Sequence, residues 1–114
     1  MRFMITFNHV EGVWDGLTDA ERAHHGGQIR EFMGELTSAG SEMVFFAPKR
    51  RTVRQHADGR VETLDGPCSA GPEQPGGYFI IEAADWAAAE DWARRGRFIT
   101  GSNQIFQLAT FPGA

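Results

Sequence analysis

Phe3, Ile5 and Phe7 alternate with Arg2, Met4 and Thr6, the period of two that marks a strand with one buried face. The polar stretch from Asn8 to Leu17, which holds His9, Trp14 and two glycines, predicts a loop. Trp14 there can either lid a pocket or plug the end of the core. Thr18 and Glu21 have the spacing of a capping box, so a helix is expected from Thr18 to about Ala39, with Gly40 as its stop. Its inward stripe is Ile29, Phe32, Met33 and Leu36. One turn further back the stripe reaches His25, whereas His24 aligns with Gln28, Glu31 and Glu35 on the wet face. Gly26 and Gly27 each cost about 1 kcal/mol against alanine inside a helix. Close packing on a sheet, or approach of a ligand beside His25, would account for them.

The apolar run Glu42–Ala47 predicts a buried strand closed by Pro48. Thr52–His56 and Arg60–Leu64 flank Ala57-Asp58-Gly59, a strong hairpin signal. With Asp58-Gly59 as a two-residue loop, Thr52 faces Asp65, Arg54 faces Thr63 and His56 faces Val61. Arg54, His56 and Asp65 then project to one side, and a one-residue slip reverses this. Tyr78–Ala83 predicts another strand, after which Asp85 caps a second helix through Trp86, Ala89, Trp92 and Ala93. Arg94 and Arg95 fall in its last turn, Gly96 ends it, and a final strand is expected over Gln104–Thr110. The order β, α, β, hairpin, β, α, β is the ferredoxin-like α+β plan with an added hairpin, two helices covering one face of an antiparallel sheet. The other face is left apolar, and a homodimer packed sheet to sheet is the natural way to cover it.

A chain of 114 residues suits a single domain spanning 1–114. Its net charge of −4 argues against nucleic acid as a partner, and no apolar run is long enough to span a membrane. The cluster Lys49-Arg50-Arg51 with Arg54 is the local exception, either a solvated loop or an anion-binding edge. Cys68 is the sole cysteine, which rules out an intrachain disulfide and a thiolate metal framework; with no signal-like N-terminus, the cytoplasm is expected. His9, His24, His25 and His56 lack ligand spacing, so neither a metal nor another cofactor is expected. Gly76-Gly77 precedes a strand instead of a helix, unlike a phosphate cradle.

Asp65-Gly66-Pro67, then Glu73-Gln74, Gly76-Gly77-Tyr78 and Phe79-Ile80-Ile81-Glu82 resemble the signature of DGPF-domain proteins in the YCII-related family. The opening Met1-Arg2-Phe3-Met4, the long first helix and the alanine-rich helix with Trp92 fit the same pattern. Cys68 stands where the motif has phenylalanine. The resemblance implies a dimeric α/β-barrel assembly of ferredoxin-like subunits, with a pocket near the dimer centre. It also implies a His–Asp pair as an enzyme-like site, which falls on His25 and Asp65. Some relatives act in aromatic-compound degradation, and DGPF proteins are often encoded beside alternative sigma factors.

Two function classes follow. In the first, His25, oriented by the Asp65 carboxylate, moves a proton on a small polar or aromatic substrate. Arg51 or Arg54 would hold a substrate carboxylate, and Tyr78 or Trp14 would stack on a ring. In the second, the chain is a non-catalytic dimeric binding or regulatory protein, on the family resemblance one linked to alternative sigma factors. Asp65 then caps its own turn near Pro67-Cys68, and His25 is a core histidine holding helix to sheet. Cys68 is either a nucleophile with a nearby base or a small packed hydrophobe. Catalysis needs His25 and Asp65 close together and open to a cavity; the other class predicts them sealed, or the cavity filled by Trp14 or Phe98.

Overall fold

The computed structural model describes residues 1–97 and 100–112. The elements are β1 (Arg2–Val10), α1 (Asp19–Ser38), β2 (Val44–Phe45), β3 (Arg51–Gln55), β4 (Val61–Asp65), β5 (Glu73–Glu82), α2 (Trp86–Arg95) and β6 (Gly101–Gln107). The main sheet has the order β2-β5-β1-β6 with every neighbouring pair antiparallel, and β3-β4 form a separate hairpin. Without the hairpin this is the ferredoxin-like order.

Phe3 and Ile5 from β1 and Phe79 and Ile81 from β5 are buried on one face, under Phe32 and Leu36 of α1 and Ala89 and Ala93 of α2. Small alanines let α2 lie close to the sheet, and the Phe32 ring meets Phe79 and Trp92 edge to face. Both caps form as the spacing predicts. Thr18 Oγ1 accepts from the Glu21 amide at 3.1 Å, and Glu21 Oε1 accepts from the Thr18 amide at 3.0 Å. Asp85 Oδ1 accepts from the Ala88 amide at 2.8 Å. At the far end of α1, the amides of Gly40 and Ser41 donate back to Thr37 and Leu36, a Schellman closure. Glu35 then joins the helices by accepting from Arg95 at 2.7 Å.

Several strand ends differ from expectation. β1 continues through His9 to Val10, because β5 and β6 flank it on both sides: His9 pairs with Gln74 and with Gly101. Pairing on both edges overrides the loop-like composition of this stretch. β5 starts five residues earlier than its apolar core, β2 shrinks to two residues, and β6 runs Gly101–Gln107. The register of β1 with β5 shifts between Phe7, which faces Gly77, and Asn8, which faces Pro75. Gly76 is therefore the extra residue of a β-bulge, and Pro75 sits where a missing amide does least harm.

The hairpin register also requires correction. Arg51 faces Asp65, Thr52 faces Leu64 and Arg54 faces Glu62. The His56 amide donates to Arg60 O at 2.8 Å, and Gly59 adopts φ +87°, so the loop is the three residues Ala57-Asp58-Gly59. An odd loop moves the register by one, and Asp65 leaves the side that carries Arg54 and His56. His56 instead meets Glu62 on its own side at 2.6 Å. The hairpin stands clear of the main sheet, with Val53 69% and Val61 58% exposed. Accordingly the radius of gyration is 16.6 Å, against about 13 Å for a compact chain of this length.

Two measurements check this frame. A methyl group at Gly77 would clash with Val44 O and with the Phe7 ring. Gly77→Ala is therefore expected to cost ~1–3 kcal/mol and to loosen β2, read as a lower denaturant midpoint; an unchanged midpoint would contradict the close approach. The Thr18 amide, then the Thr18 hydroxyl, and more weakly His25 and Arg22, hold the Glu21 carboxyl below its usual range. Its ionised form therefore stabilises the fold above about pH 4.3, and that contribution fades as pH falls through the lowered value. The stability gap between the native chain and Glu21→Gln should be present at neutral pH and close in acid. A gap that does not change with pH would refute the cap's role.

Candidate functional site

The two residues expected to form an acid–base pair have separate partners. His25 is half-buried on α1, with Nδ1 3.3 Å from Gln28 Oε1 and its ring against His24. Asp65, at the end of β4, is 87% exposed, and its Oδ1 lies 3.4 Å from Arg51 Nε. No hydrogen bond or ion pair joins His25 to Asp65 among the described residues. Space remains beside His25: a methyl at Gly27 would meet nothing within 4 Å, and one at Gly26 only the tip of Arg30. Close packing thus does not explain these two glycines.

The turn after Asp65 is held by other groups. The Gly66 amide donates to Arg50 O at 2.9 Å, Thr52 Oγ1 donates to Gly66 O at 2.9 Å, and Arg54 donates to Cys68 O at 2.9 Å. Arg54 thus serves the loop that follows the motif, and Arg51 serves Asp65. Cys68 itself is exposed. Tyr78 lies on the sheet face away from the helices, its ring 5.9 Å from that of Phe46. Phe98 lies outside the described residues. Among those residues, no three His, Cys, Asp or Glu side chains gather in a way that could hold a metal ion. No helix among them is long and apolar enough to cross a membrane.

Trp14 occupies a different kind of position. The first turn of α1 organises its loop: Arg22 donates to Trp14 O and Asp15 O, both at 3.2 Å, while pairing with Asp19 at 2.7 Å. Trp14, 37% exposed, then forms one wall of a cavity of about 570 Å³. The other walls include Phe7, Ile29, Met43 and Phe45, with Asn103 at the α2 side. Asn103 is fixed there by donating to Ala93 O at 2.9 Å. Phe7 and Phe45 meet edge to face at 5.6 Å, closing the β2 side.

His9 also lines this cavity, as well as a second one of about 410 Å³ under the motif loop. Glu11 and Pro48 border both, so the two spaces adjoin across the end of β1. Sequence reasoning put His9 in a loop and missed this placement. The signal was there, since Phe3, Ile5, Phe7 and His9 share one parity, and a strand carried on by two residues turns His9 to the face that buries Phe3 and Ile5. Beneath its ring lies the bulged Gly76, where a methyl would lie 2.5 Å from His9 Nδ1. The imidazole therefore rests directly on the glycine backbone. His9 is half-buried, and its ring nitrogens have no hydrogen-bond partner among the described residues.

The sequence model of the YCII-related domain matches residues 1–111, nearly the whole chain and every element of this fold. The chain belongs to the YCII-related family. No curated protein shows a significant match to it. Within this YCII-related chain, the structure gathers Trp14 and His9 at one cavity system and leaves His25, Asp65, Arg51, Arg54 and Tyr78 outside its walls.

The glycine contact yields a direct check. Gly76→Ala is expected to displace the His9 ring and leave the fold standing, because the bulge is already irregular there. The imidazole proton resonances of His9 should move in NMR spectra while those of His24 and His56 stay in place. Unmoved His9 resonances would show that the ring does not rest on Gly76.

Proposed function

We propose that this YCII-related protein is a small-molecule-binding protein whose ligand occupies the cavity walled by Phe7, Trp14, Ile29 and Phe45. His9 is the polar group that meets the ligand. The observation that carries this is the half-buried His9 imidazole, set between two adjoining cavities with no hydrogen-bond partner among the described residues. The cavity wall is mostly apolar, with aromatic rings from Phe7, Trp14 and Phe45 and polar side chains such as His9 and Asn103 at its edges. Such a pocket suits a flat, largely apolar molecule. Imidazole can donate and accept hydrogen bonds, and a proton held there can pass to or from a bound molecule. Acid–base chemistry at His9 needs no rearrangement of the chain. Chemistry through His25 and Asp65 would first have to detach them from Gln28 and Arg51.

The protein acts as a cytoplasmic homodimer in this view. Met4, Ile80 and Phe106 share the sheet face away from the helices, with Phe106 40% exposed. A second subunit packed there would cover that apolar strip and leave the His9 cavity open on the helix side.

Phenol, a neutral aromatic probe, tests the site. It should shift the Trp14 indole and His9 resonances, and Trp14→Ala should weaken binding by about tenfold, in line with an aromatic wall worth 1–2 kcal/mol. Tyr78→Ala, on the opposite face, should leave binding unchanged. Binding lost with Tyr78→Ala and kept with Trp14→Ala would move the site to the other face of the sheet.

A further inference from the structure

The smaller cavity under the motif loop carries charges of both signs, and it adjoins the aromatic cavity at His9. Its cation is Arg50. This side chain is half-buried, its Nε donates to Pro48 O at 3.4 Å, and no carboxylate pairs with it among the described residues. The rest of its planar donor fork is therefore available to a carboxylate. Its acceptors are Glu11 and Gln74. Glu11 is anchored through its amide to Pro72 O at 3.2 Å, and its carboxylate has no cationic partner among the described residues. Gln74 Nε2 donates to Ser69 O and Gly71 O, which fixes the amide and leaves its Oε1 without a donor among the described residues.

A simple anion drawn to Arg50 would sit in the same small space as the Glu11 carboxylate, and a simple cation drawn to Glu11 would sit beside Arg50. A ligand with both charges close together meets each with its opposite. Given the ligand cavity proposed above, on which this inference rests, we infer that the site takes an aromatic α-amino acid or a close zwitterionic relative. The ring lies between Phe7 and Trp14, the carboxylate faces Arg50, and the ammonium faces Glu11 and Gln74 Oε1. His9 stands where the ring and the charged end join. Arg50 and Glu11 are then specificity-determining residues.

The experiment is calorimetric titration of the full chain with L-phenylalanine, 3-phenylpropionate, 2-phenylethylamine and phenol. Charge-assisted hydrogen bonds at each end should make L-phenylalanine about tenfold tighter than either singly charged analogue. Arg50→Gln should remove its advantage over 2-phenylethylamine, and Glu11→Gln its advantage over 3-phenylpropionate. Both side chains reach solvent, and the far-UV circular dichroism of each variant should match that of the native chain. Equal binding of all three charged ligands, or a preference that survives both substitutions, overturns the zwitterion while phenol binding leaves the aromatic cavity in place. If phenol also fails to bind the folded protein, the cavity itself is not a ligand site and this inference falls with it.

Discussion

The close approach of two aromatic rings to two adjacent glycines governs how this fold makes a cavity. Phe7 lies over Gly77 and His9 over Gly76, both at distances that a side chain on either glycine would forbid. The β-bulge at Gly76 makes the pairing possible, because it shifts the register just where β1 passes from core strand to cavity wall. Gly77 also brings β2 against β5, which carries Phe45 to the rim beside Phe7. A bulkier residue at Gly77 would push β2 away from β5, whereas one at Gly76 would displace the His9 ring from the cavity floor. The helices contribute the remaining walls: Arg22 holds the Trp14 loop to the start of α1, and Asn103 holds β6 to the end of α2.

The layers of the fold were legible because they obey local rules. The alternation of Phe3 with Ile5, the capping box at Thr18 and Glu21 and the alanine spacing of α2 each depend on neighbours in sequence, and each formed as expected. Features that depend on distant partners were harder to read. His9 becomes part of a strand because Gln74 and Gly101 flank it from both sides, which composition near His9 does not reveal. The hairpin loop turned on one residue, Ala57, and that single step moved Asp65 to the face opposite Arg54. The glycines of α1 and the glycines of β5 look alike in sequence, yet of these two sets Gly76 and Gly77 of β5 are forced by contact and Gly26, Gly27 and Gly34 of α1 are not.

Electrostatics divide the surface in a similar way. Around the hairpin and helices, charges pair off: Arg51 with Asp65, His56 with Glu62, Arg95 with Glu35 and Asp91. Exposed pairs of this kind contribute little to stability, and they also neutralise groups that would otherwise attract ligands. Three groups that form no ion pair among the described residues, His9, Glu11 and Arg50, line the adjoining cavities at the end of β1. Chemistry in this YCII-related chain is therefore expected where charges are unpaired and glycines make room, and not at the paired charges of the hairpin.

The most direct test of that claim is to locate a bound aromatic probe by intermolecular nuclear Overhauser effects. The account predicts cross-peaks from the probe to the rings of Phe7, His9 and Trp14. Cross-peaks to Met4, Tyr78 and Ile80 instead, with none to His9, would put the ligand on the opposite face of the sheet and contradict it.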